Sequence, residues 1–157
     1  MELAEGGTLL IDEINSAGLK VQARLLQFIQ ERTLLRVGGT RAVSVDVRLI
    51  LAGNQPLEPM VRAGTFRQDL WFRINVFPIA LPPLRERRED IVPLAEGMLA
   101  RFARELEQPA RRFHPEAMEG LFHYHWPGNI RELENLVQRA VILAFEEPVT
   151  LKELPSL

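Results

Sequence analysis

Pro82-Pro83 divides the chain into two kinds of pattern, and that division limits the fold more than any other feature. Ahead of it, short apolar runs alternate with helical stretches; from about Arg88 onward only helical spacing remains. Strands interleaved with helices, followed by helices alone, predict an α/β part and then an all-α part. We place the boundary so that residues 1–84 form the first and residues 85–157 the second.

In the first part, Thr8-Leu9-Leu10-Ile11-Asp12 follows Gly6-Gly7 as a continuous apolar run, the mark of a strand buried on both faces of a parallel sheet. Ala17 to Arg32 carries Val21, Leu25, Phe28 and Ile29 at helical spacing. Leu34–Val37 and Ala42–Val45, parted by Gly38-Gly39-Thr40, read as a hairpin. Val47 to Ala52 is a second buried strand, and Val76 to Leu81 a third whose Pro78 favours an edge or an end. In the second part, helices are predicted over Ile91–Leu106, His114–His123 and Asn129–Ala144. The last has a stripe through Ile130, Leu133, Val137, Ala140 and Ala144, with Asn129 as N-cap and Glu132 three residues on, close to a capping box.

Composition removes several classes. No apolar run approaches the ~20 residues that span a bilayer, and the acidic start Met1-Glu2-Leu3-Ala4-Glu5 lacks the layout of a signal peptide. With no cysteine there is no disulfide framework and no thiolate metal site, which makes the cytoplasm the expected location. Nineteen basic against 21 acidic residues, a net charge of -2, gives no overall attraction to nucleic acid. His123 and His125 stand two apart and face differently on a helix, so a metal site is not predicted there. Arg85 to Asp90 mixes signs and reads as a solvated helix start.

Four segments carry chemistry. A strand that delivers Asp12 and Glu13 at its carboxyl end places two acids where open α/β sheets bind ligands. Phosphate hydrolysis uses such a pair, one acid on Mg²⁺ and the other polarising the attacking water; the same pair also starts loops and caps helices. Asn54, at the end of the next strand, can orient a water or hold the Glu13 side chain, or simply serve the turn between Gly53 and Pro56. Arg67 and Arg73 lie among aromatic residues, six apart, and do not clamp one group together. They are surface charges over apolar neighbours, or arginines offered at a subunit edge to a neighbour's nucleotide. Arg131 sits just inside a helix N-terminus, where a cation is poorly placed unless an anion or a nearby acid such as Glu132 or Glu134 joins it.

Together these segments resemble the central AAA+ ATPase domain of bacterial enhancer-binding proteins, the NtrC-like activators of sigma-54 RNA polymerase. Glu2 to Ile14 looks like the Walker B segment, and Arg36-Val37-Gly38-Gly39-Thr40 like the hairpin loop before sensor I. Leu51-Ala52-Gly53-Asn54 resembles sensor I, with Gly53 where the family more usually has Thr. Phe66 to Val76 resembles the arginine-finger segment, Leu81 to Arg87 the passage into the lid, and Trp126 to Leu133 sensor II. The resemblance implies ATP and Mg²⁺ as cofactors, with Asp12 the Mg²⁺-associated acid (through water) and Glu13 the catalytic base. Asn54 would couple Glu13 to the nucleotide state, Arg67 and Arg73 would act in trans, and Arg131 would contact phosphate from the lid. It further implies a homo-oligomeric ring, a hexamer or heptamer, that remodels the sigma-54 RNA polymerase closed complex, with enhancer DNA bound by a domain outside this chain and no membrane partner.

Two family motifs are missing from the 157 residues: a Gly-x-x-x-x-Gly-Lys-[Ser/Thr] loop and the Gly-Ala-Phe-Thr-Gly-Ala loop that engages the sigma factor. The expectation is therefore a partial AAA+ P-loop NTPase sheet, its P-loop strand missing, with a helical lid, and a chain that does not hydrolyse ATP alone. The missing strand would leave a gap between the sensor I strand and Val76–Leu81. A non-catalytic regulatory or interaction module, and an AAA+ regulator acting without sigma-54, remain as alternatives.

Overall fold

The computed structural model describes residues 2–36, 38–39, 41–109, 112–144 and 148–154. It forms two compact units, Met1–Ile79 and Ala80–Leu157.

In the first unit, β1 (Thr8–Ile11) pairs in parallel with β4 (Arg48–Leu51), Leu9 opposite Leu49 and Ile11 opposite Leu51. Between them run α1 (Leu19–Glu31) and an antiparallel hairpin of β2 (Thr33–Leu35) and β3 (Ala42–Ser44); α2 (Leu57–Arg62) and α3 (Gln68–Ile74) follow β4. The expected hairpin is thus present and shorter; Val37 and Thr40 in its loop lie outside the described residues. Ile14, Leu25, Phe66 and Leu70 are buried together, with Ile11, Leu49 and Leu51 of the sheet packed against them. Phe28, Val45 and Val47 make a second cluster with Leu9 and Leu34.

Three expectations for this unit fail. β1 and β4 are not covered on both faces: Leu10 and Ile50, opposite one another, remain 59% and 44% exposed. A run such as Thr8–Ile11 reports its hydrophobicity but not which face finds a cover. Val76–Leu81 is no strand and leaves Phe77 83% and Ile79 74% exposed. Among the described residues no strand pairs with its backbone, and an extended segment gains little without one. On α1, Val21 is exposed, and the buried residue of that turn is Gln22.

The second unit is helical. α4 (Ile91–Glu105), α5 (Pro115–His123) and α6 (Asn129–Leu143) match the predicted spans within a residue or two. They enclose one core that includes Leu99, Phe102, Leu121, Trp126, Leu133 and Val137. α4 and α6 meet along the stripe read from sequence, extended by Leu136 and Val141. The expected cap differs. Asn129 has φ 54 and its Oδ1 accepts a hydrogen bond from the Leu84 N–H at 2.9 Å, so the side chain is engaged outside its own helix. Glu132 takes up the helix start instead, accepting from the Gly128 N–H at 2.7 Å.

Candidate functional site

The parallel ladder interrupts itself where the two acids stand. Ala52 donates its N–H to the Ile11 carbonyl and accepts from the Ile14 N–H, both at 2.9 Å. Asp12 and Glu13 are left between these rungs, outside the ladder and exposed to solvent. Glu13 turns the chain there with φ 53, an uncommon value for a residue with a side chain. Asp12 Oδ1 accepts from the Glu13 N–H at 2.8 Å, which pins the turn and leaves Oδ2 for solvent.

Because β1 and β4 end in register, Asn54 leaves the same sheet edge. Its partner, however, is Asn15 and not Glu13. Asn15 Nδ2 donates to Asn54 Oδ1 at 2.9 Å, and the Asn54 N–H donates back to Asn15 Oδ1 at 3.2 Å. Asn15 is buried, held 9% exposed. Its Oδ1 lies 3.0 Å from where a Cβ on Gly53 would sit, so Gly53 leaves room for the Asn15 amide. The sequence reading missed Asn15; the signal was Gly53, whose missing side chain had to be matched by something.

Arg67 precedes α3 and Arg73 lies in its last turn, both exposed. Six positions apart, the two are offset by about 9 Å along the axis at a helical rise. Arg67 grips Asp69 with two parallel bonds, Nε to Oδ1 at 3.0 Å and a terminal nitrogen to Oδ2 at 2.7 Å. The pairing holds the Asp69 carboxyl below its ordinary range and the Arg67 guanidinium above its own. Exposed pairs of this kind hold weakly, so the guanidinium can be drawn to a better anion. Arg67, Gln68, Asp69 and Phe72 line a shallow hollow of about 500 Å³.

In the second unit, Arg131 lines a cleft of about 450 Å³ with Tyr124, Trp126, Gly128, Glu132, Asn135, Leu136 and Arg139. The acids that could have neutralised Arg131 are engaged elsewhere: Glu132 binds the Gly128 N–H and accepts from the Tyr124 hydroxyl at 3.3 Å, while Glu134 binds Arg101. Partial burial, then the Glu132 carboxylate, push the Tyr124 phenol up. Trp126, fully buried with φ 48, fixes the turn before the helix by donating Nε1–H to the Leu121 carbonyl at 2.9 Å. Among the described residues no cluster of three or more acids, histidines or cysteines could hold a metal ion unaided, and no helix is long and apolar enough to cross a membrane.

An α/β unit with two acids at a parallel strand's end, joined in sequence to a helical unit with an arginine at a cleft, is the layout of the AAA+ class. The chain belongs to the sigma-54 activator family: the Sigma-54 interaction domain matches residues 1–80 and the AAA+ ATPase lid domain matches residues 85–157. The Transcriptional regulatory protein ZraR of Klebsiella oxytoca is 53% identical over 152 residues, covering 97% of this chain and 34% of that protein. Nitrogen fixation protein AnfA of Azotobacter vinelandii is 48% identical over 154 residues, 98% of this chain and 29% of that one. Among solved structures, NtrX from Brucella abortus in complex with ATP superposes with a TM-score of 0.91 at 40% identity, covering 98% of this chain and 36% of NtrX. The chain spans about a third of the length of these relatives.

Proposed function

We propose that this chain supplies the hydrolytic carboxylates, the trans-acting arginines and the lid of an ATP-driven activator of sigma-54 RNA polymerase. The emergence of Asp12, Glu13 and Asn54 from one edge of the parallel pair supports this most directly. The residues fit Mg-ATP in kind: Asp12 keeps an oxygen open to solvent, and its two-acid edge suits a cation whose remaining ligands are water and phosphate. Mg²⁺, when bound, neutralises charge on the transferring phosphoryl group. Asp12 holds it through water, and Glu13 accepts a proton from the attacking water at a carboxylate oxygen. Asn54 keeps its amide fixed through Asn15 and orients that water or Glu13. Arg67 and Arg73 reach the nucleotide of the next subunit, and Arg131, whose neighbouring acids Glu132 and Glu134 are engaged with other groups, meets phosphate from the lid. A ring of six or seven subunits is the working form, sigma-54 RNA polymerase its target, and enhancer DNA is bound by a separate domain. Residues 1–84 and 85–157 act as the catalytic part and the lid.

The test uses full-length K. oxytoca ZraR with its matching segment replaced by this chain. Glu13→Ala abolishes Mg-ATP turnover and Arg67→Ala lowers it by about a hundredfold or more to a measurable residual rate, and mixing the two forms restores more than that residual rate, because each subunit offers what its neighbour lacks. Normal turnover by Glu13→Ala overturns the base assignment; no recovery on mixing places Arg67 at its own subunit's site. The 157-residue chain alone, without a P-loop lysine, shows no turnover.

A further inference from the structure

Gln22 is the one fully buried polar side chain among the described residues, and all its hydrogen-bonding groups converge on two segments that function depends on. Its Nε2 donates to the Ala17 carbonyl at 2.7 Å and to the Thr65 carbonyl at 3.1 Å. Its Oε1 accepts from the Arg67 N–H at 2.8 Å. Ala17 ends the turn that begins at Glu13, and Thr65 and Arg67 flank the buried Phe66. One amide therefore ties the segment after the two acids to the segment that presents Arg67. Burying an amide without partners is costly, while one whose groups are all matched fixes a single arrangement. The other partners of Arg67 are the Trp71 N–H, which donates to the Arg67 carbonyl at 3.1 Å and ties it to its own helix, and the half-exposed Asp69 side chain.

We infer that Gln22 is a positioning residue for Arg67, setting the height at which its guanidinium leaves the surface before it meets a neighbour's nucleotide. This rests on the reading of Arg67 as acting in trans. The amide suits the place better than either obvious replacement. A methionine of similar length offers no donor to Ala17 or Thr65, and an ionised glutamate keeps an acceptor for Arg67 but turns a negative charge toward two carbonyl oxygens.

The experiment has two arms. In the 157-residue chain, Gln22→Met speeds hydrogen exchange of the Arg67 amide by about ten- to a hundredfold, with amides of α6 unchanged. Gln22→Glu recovers Arg67 protection as the pH is lowered and the carboxyl becomes neutral. An Arg67 amide equally protected in both variants overturns the inference. In the ZraR chimera, Gln22→Met lowers kcat by about tenfold or more at unchanged KM, and adding it to Arg67→Ala costs nothing further. Additive losses would mark a merely structural role and overturn it. Should Arg67→Ala keep full turnover, the reading of Arg67 fails whatever Gln22 does. Should Arg67→Ala be reduced to its residual rate while Gln22→Met keeps its kcat, the inference fails alone.

Discussion

Glu13, Asn15 and Gln22 show what single residues contribute that periodicity does not report. The acids were legible because a strand followed by two carboxylates is a pattern of residue types. Gln22 was not: the set Val21, Leu25, Phe28 and Ile29 fits a helix face as well as Gln22, Leu25 and Phe28 does, and a glutamine invites the solvent-facing choice. Asn129 misled for a related reason, since an asparagine before a helix is a cap only while its oxygen is free of other donors. A cap that does hold is Thr150 with Glu153. The Thr150 hydroxyl and N–H both donate to Glu153 Oε2 at 2.8 Å, and these bonds lower the Glu153 carboxyl below its ordinary value of 4.5. A depressed folded-state value contributes stability above the unfolded pKa and loses it as pH falls through the folded one. Thr150→Ala should therefore move the Glu153 titration, followed by NMR, back toward its ordinary value and lessen the stability lost on acidification below it. A Glu153 titration unchanged in that variant would remove the hydroxyl as the cause.

At the scale of elements, helices were read well and strands unevenly. α4 and α6 bury a stripe of their own, and a 3.6-residue period survives whatever the surroundings. Strands complete themselves only with a neighbour, so Val76–Leu81, β-prone as a string, stays unpaired, and the outer face of β1 and β4 stays open. Its exposed Phe77 and Ile79 carry no share of the described core. Replacing both by Ser should shift the denaturation midpoint by no more than about 0.5 kcal/mol equivalent while reducing concentration-dependent association in light scattering. A large loss of stability would show that this segment packs in solution.

For the whole molecule, the governing fact is that each unit has an apolar core of its own. A chain of two compact units need not unfold in one step. Each unit carries one tryptophan, Trp71 in the first and Trp126 in the second, so fluorescence distinguishes them. In a Trp71→Phe background, Leu99→Ala should destabilise the unit seen by Trp126 by about 2–5 kcal/mol. NMR signals of α1 and α3 should melt at an unchanged midpoint. A common shift of both would mean that the units unfold as one.

The turn from Trp126 to Asn129 has a thermodynamic corollary. Its ring is locked by packing and by the Leu121 carbonyl, and Glu132 already braces Gly128 and Tyr124 before any ligand arrives. An anion entering beside Arg131 would meet, on the side of Tyr124, Trp126 and Gly128, a wall already ordered. Its binding entropy would then report released water, the ligand's own lost freedom and the ordering of Arg131 and Arg139, with none spent on that turn, and differences in affinity among anions would appear mainly as differences in residence time.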